Sequence, residues 1–109
     1  MRLALMTTAL CLGLAATAAA QEAKVTKGQQ IFTDQKCSLC HSIGDKGNKK
    51  GPLDGVASKL SGDEIRSWLT DAKGMTAKTK ATRKPEMKAY ALPKEDVEAL
   101  AAYLQMLKK

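Results

Sequence analysis

Apolar residues along this chain form one continuous block and then several periodic groups. The block runs from Leu3 to Leu14 and is interrupted only by Thr7, Thr8 and Gly13. Arg2 stands before it, and small residues follow, ending Ala18-Ala19-Ala20. A positive start, an apolar centre and an A-x-A end make up the plan of a secretory signal peptide. Residues 1–20 are therefore expected to be removed in front of Gln21, leaving one domain over residues 21–109. A membrane anchor is the rival reading. The apolar centre is short for a span of about 20 residues, and the alanine-rich end suits a peptidase better. Cys11 follows Leu10, where a lipoprotein would have a small residue, so it is assigned to the discarded leader.

Beyond the leader the pattern is helical. Val25, Gly28, Ile31 and Phe32 recur at spacings of three and four, which predicts a helix over Val25 to Lys36. Residues 42–56 are rich in Gly, Asp, Asn and Lys and read as a loop. Ser61 followed by Glu64 is a capping-box pattern. It opens a helix with Ile65, Trp68, Leu69 and Ala72 on one side, and Gly74 is its expected stop. Residues 75–92 read as irregular, with room for a helical turn near their start. From Pro93 to Leu107 the pattern is strongly helical: Val97, Leu100, Ala101, Leu104 and Leu107 form a stripe with Tyr103 beside it. Glu95 and Asp96 suit the start of that helix, and Lys108 and Lys109 its end. No segment shows sustained alternation, so the expected fold class is all-α.

Composition sharpens this picture. The chain has 109 residues and a formal charge of +7, which becomes +6 once Arg2 leaves with the leader. That charge serves solubility, or steers the protein toward an acidic partner or an anionic surface. Nucleic acid is disfavoured as a partner, because the lysines are scattered and only one Trp, one Phe and two Tyr are available for stacking. So small a domain with so little aromatic bulk needs a disulfide, a metal or a large apolar cofactor to complete its core.

Cys37-Ser38-Leu39-Cys40-His41 supplies the chemistry. C-x-x-C-H reads as a c-type haem attachment. Two thiols three positions apart reach neighbouring vinyl groups on one porphyrin edge, each adding across a double bond to give a thioether. The next residue, His41, is then held beneath the iron. A thioredoxin-like pair would call for a strand before the motif, and none is visible. A four-ligand zinc site lacks ligands, since the chain beyond the leader has no other Cys or His. A plain disulfide leaves His41 unexplained. With no second histidine, the far side of the iron falls to Met, Lys, water or nothing. Met87 lies in a Pro-containing stretch six residues before Pro93, from which a thioether reaches a metal without breaking a helix. Met75 is the alternative, and Met106 is more at home as filler on the last helix. Thioether ligation favours ferrous iron and closes the site.

These residues resemble a class I cytochrome c of the small bacterial monohaem form, over essentially all of residues 21–109. Gly28 and Phe32 match the family's Gly and aromatic pair on the N-terminal helix, and Leu100 and Tyr103 match their partners on the C-terminal helix. Cys37, Cys40 and His41 match the attachment motif, and Gly51-Pro52 matches the Gly-Pro pair that follows it. The resemblance implies three to four short helices wrapped around one covalent haem c. It implies that the Pro52 carbonyl accepts the ring N–H of His41, and that His41 and Met87 are the iron ligands. It also implies that Trp68 packs on the haem, although Trp68 equally fits ordinary helix core. In one departure Lys88 follows Met87, where the family often has Pro, which loosens the distal loop.

The expected function is outer-sphere, single-electron transfer by a monomeric periplasmic carrier, not an enzyme, with no stable membrane insertion after the leader is removed. Lys36, Lys46, Lys49, Lys50 and Lys88 would steer an acidic redox partner, or are simply solvated. Two other readings stay open: a labile haem site that binds a small ligand or reduces peroxide, and the haem-carrying subunit of a larger oxidoreductase.

Overall fold

A computed structural model describes the backbone of residues 2–109 and the side chains of residues 16–109. Its helices are α1 (Arg2–Asp34), α2 (Val56–Lys59), α3 (Gly62–Thr70), α4 (Ala72–Thr79) and α5 (Lys94–Leu104). Between α1 and α2 come a 3-10 turn (Cys37–Leu39) and an antiparallel pair, β1 (Ser42–Ile43) and β2 (Lys46–Gly47). This two-residue pairing lies inside the stretch expected to be a plain loop, and the fold remains helical around it. Gly44 and Gly47, at φ of 59° and 98°, give the reversal the left-handed backbone it needs.

Helix α1 runs past the segment expected to begin at Val25. From Ala16 to Lys27 nothing breaks it, and Ala, Gln, Glu and Lys are good helix formers. The apolar block Leu3 to Leu14, with Cys11, lies outside the residues whose side chains are described. Among the described residues no helix is long and apolar enough to cross a membrane.

The core is built where α1 and α3 meet α5, the contact between α1 and α5 being the most extensive. Ile31, Ile65, Leu69, Val97, Ala99, Leu100, Ala101 and Leu104 form one buried cluster. The two long helices cross at Gly28, which is buried. A Cβ there would collide with the carbonyl of Ala99 and come within 2.8 Å of Tyr103 Cβ. One turn further on, the rings of Phe32 and Tyr103 meet edge to face, with centroids 5.9 Å apart. The matched positions of the family resemblance are thus in contact. Lys27 and Asp96 pair across the same crossing at 3.1 Å, a solvent-accessible bridge, with Asp96 half-buried, that contributes modestly.

Ser61 and Glu64 form the expected capping box: the Glu64 N–H donates to Ser61 Oγ, and the Ser61 N–H to Glu64 Oε1. Arg66 on α3 holds Glu98 on α5 at 3.0 Å. Gly74, however, does not end this helix. Asp71 does: its N–H closes α3 on Ser67 O, and its carboxylate then caps α4 by accepting from the Gly74 N–H at 3.2 Å. The segment from Lys80 to Pro93 is irregular, as expected, and the Tyr90 N–H pins it to Leu69 O at 3.1 Å. At the other end of the chain, Ala57 N–H donates to Leu107 O, and Ser58 Oγ bonds both the N–H and the carbonyl of Lys109.

Candidate haem-binding site

The site begins where α1 ends. Lys36 takes a left-handed conformation, φ 56°, which turns the chain out of the helix axis. The next residues wind into the 3-10 turn, in which the Cys37 carbonyl accepts from both Cys40 N–H (3.1 Å) and His41 N–H (2.9 Å). In such a turn residues three apart lie one above the other. Cys37 and Cys40 therefore share a face, with His41 immediately after. Both thiols are free, Cys37 half-buried and Cys40 exposed. Burial pushes the Cys37 thiol above its ordinary pKa, and the neighbouring Cys40 adds to this. It stands as S–H, the form whose sulfur and hydrogen add across a vinyl double bond without any oxidant.

His41 is half-buried, and its Nδ1 lies 3.0 Å from the carbonyl oxygen of Gly51. A carbonyl only accepts, so Nδ1 carries the proton and Nε2 presents its lone pair. Burial lowers the pKa of His41; the Gly51 bond opposes this, and the positive charge of Arg83 adds to the lowering. The neutral imidazole with Nε2 free is the form that ligates a metal. Among the described residues no group of three or more His, Cys, Asp or Glu side chains converges on a bare ion. Two thiols on one face of a turn and one tautomer-fixed imidazole beside them fit a haem instead.

The acceptor is not the expected Pro52 carbonyl but that of Gly51, one residue earlier. The reason is a parallel bridge between Ser42 and Pro52. Ser42 N–H donates to Gly51 O at 3.1 Å, and Leu53 N–H to Ser42 O at 2.8 Å. Carbonyls alternate along an extended segment, so it is Gly51 that faces the His41-Ser42 strand, while Pro52 is exposed. Gly51 also has to be glycine, since a Cβ there would run into the Cys40 carbonyl and the Arg83 guanidinium.

Met87 is half-buried on the irregular segment and packs against the core cluster. Met75 is buried on α4, and Met106 is 64% exposed. Trp68 is half-buried, whereas Ile65 and Leu69 of the same helix are fully buried. Two residues near the attachment turn were not legible in the sequence. Tyr90 is half-buried, and its hydroxyl pKa is raised by burial and, to a lesser extent, by Cys37 and Cys40; Lys88 Nζ lies 5.5 Å from the centre of its ring. Asn48 binds the turn directly: its N–H lies 3.0 Å from Ser38 O and 3.1 Å from His41 O. Asn48 lies in a Gly- and Lys-rich stretch and Tyr90 in an irregular one, and neither carries a motif that would have singled it out.

A helical domain closed by two crossing helices, carrying a C-x-x-C-H turn with its histidine already oriented, defines a protein of the c-type haem class. A cytochrome c family model matches residues 25–108, and the chain belongs to that family. It carries haem c covalently and serves electron transport. The chain is also 28% identical over 96 residues to cytochrome c oxidase subunit 2 of Alkalihalophilus pseudofirmus. That match takes in 80% of this chain but only 27% of the length of that protein. No solved structure matches the chain.

Proposed function

We propose that this chain is an exported single-haem electron carrier, with Cys37 and Cys40 as the thioether donors and His41 and Met87 as the axial ligands. The observation that carries the reading is the His41 Nδ1 to Gly51 O hydrogen bond beside two free thiols. Bound haem supplies a ferric-ferrous couple that gains and loses one electron. The protein's part is to keep the imidazole neutral, fix its orientation and exclude water. Met87 suits the distal position because it lies on a non-helical segment already packed on the core, so its side chain turns without unwinding a helix. The leader pattern of residues 1–20 supports export to the periplasm and cleavage after Ala20.

Lys36, Lys46, Lys49, Lys50 and Lys88 are all exposed, and Leu39, between the two cysteines, is 69% exposed. Exposed cationic side chains together with this exposed apolar residue favour an acidic redox partner. Its association rate would fall steeply with added salt.

The test is mass and absorption of the exported protein. One haem retained after denaturation, together with loss of residues 1–20, is the expected result; a colourless protein overturns the reading. In the ferric state a weak far-red charge-transfer band marks thioether ligation. Met87→Ala is expected to abolish it and Met75→Ala to keep it; the reverse result moves the ligand to Met75. A parent protein without the band would instead point to an open haem that binds small ligands. The oxidase-subunit relative favours a second reading, in which this chain is the haem-bearing part of a larger oxidoreductase. Co-purification of a stoichiometric partner distinguishes it from a free carrier.

A further inference from the structure

Three carbonyls of the attachment turn, those of Ser38, Leu39 and His41, accept no hydrogen bond from within the turn and lie within reach of one residue. All three meet Asn48. Its N–H is shared between Ser38 O at 3.0 Å and His41 O at 3.1 Å. Its side-chain Nδ2 donates to Leu39 O at 3.1 Å. The same residue folds the chain that follows. Asn48 Oδ1 accepts from the Lys50 N–H at 3.0 Å, and the Asn48 carbonyl accepts from the Gly51 N–H at 3.1 Å. Asn48 thus joins the turn that presents His41 to the tight bend that presents the Gly51 carbonyl to the His41 ring. Only a short polar side chain with both a donor and an acceptor bridges both sides, and Asn favours this bend because its carbonyl oxygen reaches the N–H two residues on.

We propose that Asn48 is a positioning residue for the proximal ligand, fixing the His41 Nδ1 to Gly51 O hydrogen bond and through it the basicity of the imidazole. The effect on a bound haem rests on the electron-carrier reading above. A firm bond from the ring N–H to an outer acceptor raises ligand basicity and so favours ferric iron. Loosening it makes the imidazole a poorer donor and raises the midpoint potential.

The experiment uses the full chain as purified, with Asn48→Ala and Asn48→Ser. Ala removes both side-chain bonds. Ser keeps a neutral acceptor for the Lys50 N–H but cannot reach Leu39 O, and it carries the test should Ala fail to fold. Two readouts are taken: exchange of the His41 ring N–H by nuclear magnetic resonance, and the midpoint potential by optical redox titration. Exchange is expected to quicken by up to about tenfold, the scale of one weakened hydrogen bond. The potential is expected to rise, with the far-red band retained. Parent-like exchange and potential in both variants would overturn the proposal, even if stability fell. Ring exchange is read whether or not haem is bound. Absence of covalent haem in the parent, read by mass, therefore counts against the carrier reading, while the exchange comparison still decides on Asn48.

Discussion

Gly28→Ala tests the packing on which the whole domain rests. A methyl group at this position would collide with the Ala99 carbonyl oxygen and lie 2.7 Å from its carbon and 2.8 Å from Tyr103 Cβ. Ordinary contact begins near 3.4 Å, so α1 and α5 must separate by more than an ångström. None of these atoms is the tip of a flexible side chain, so no rotamer change relieves the clash. Ala99→Gly does not rescue it, because the atoms met first belong to the Ala99 backbone. Overpacking of this kind costs about 1–3 kcal/mol. The edge-to-face pair of Phe32 and Tyr103, one turn away, is worth about 0.5–1.5 kcal/mol beyond its burial and loosens with it. Against this, Ala is favoured over Gly in a helix by about 1 kcal/mol. The balance is a loss of about 2 kcal/mol, which in a domain of this size lowers Tm by roughly 10 °C. Thermal and urea unfolding of the haem-loaded protein, followed by far-ultraviolet circular dichroism, measure it. Gln29→Ala, at an exposed site on the same helix, is the control and is expected to stay within about 0.5 kcal/mol of the parent. A Gly28→Ala protein as stable as the parent, or more so, would mean that propensity outweighs the crossing and that the contact is not close.

Leu100 is 1% exposed at the centre of the core, and Leu100→Ala is expected to cost about 2–5 kcal/mol in urea unfolding. Met75→Ala opens a cavity beneath α4 and is expected to cost a similar amount, while leaving the far-red band of the ferric protein in place. Ser61→Ala removes one half of the capping box and is expected to cost about 1 kcal/mol. The carboxyl of Glu64 is held below its usual 4.5 by its bonds to the Ser61 backbone and side chain. Its contribution is therefore complete above pH 4.5 and is lost as pH falls through the lower folded value. Glu64→Gln should flatten that acid limb of the stability curve, and a limb of unchanged steepness would refute the assignment.

How far the fold was legible depended on whether its cause was local. The capping box could be read because Ser61 and Glu64 satisfy each other within one turn. The crossing of α1 and α5 could be read through the family resemblance, because Gly28, Phe32, Leu100 and Tyr103 match its paired positions on two helices that the local spacing made legible. The attachment motif could be read because its spacing is dictated by the porphyrin edge. What escaped depended on contacts distant in sequence or on a single side chain in two roles. Asp71 looked like one more polar residue, yet it ends α3 with its N–H and starts α4 with its carboxylate, which left Gly74 to be mistaken for the stop. The acceptor for His41 shifted from Pro52 to Gly51 because a bridge to Ser42 sets which carbonyl faces inward, and no local pattern reports that alternation.

The two sides of the candidate site are built by different means. On the side of His41, backbone bonds overlap: Cys37 O and Gly51 O each take part in two contacts, and the Asn48 N–H is shared between Ser38 O and His41 O, with Asn48 and Ser42 as hubs. Displacing one group there leaves others unsatisfied, and each buried unsatisfied group costs about 1–3 kcal/mol, so the imidazole has essentially one place to be. On the side of Met87 the backbone is tied at widely spaced points, Ala81 N–H to Thr76 O and Tyr90 N–H to Leu69 O. Between those ties the segment relies on packing, which tolerates small shifts far better than a hydrogen-bond ladder does. A protein built this way fixes the orientation of one ligand through its own backbone. Under the proposed ligation by Met87 the opposite face would close through side chains, and that is the face on which a change of ligand or partner would be structurally cheapest.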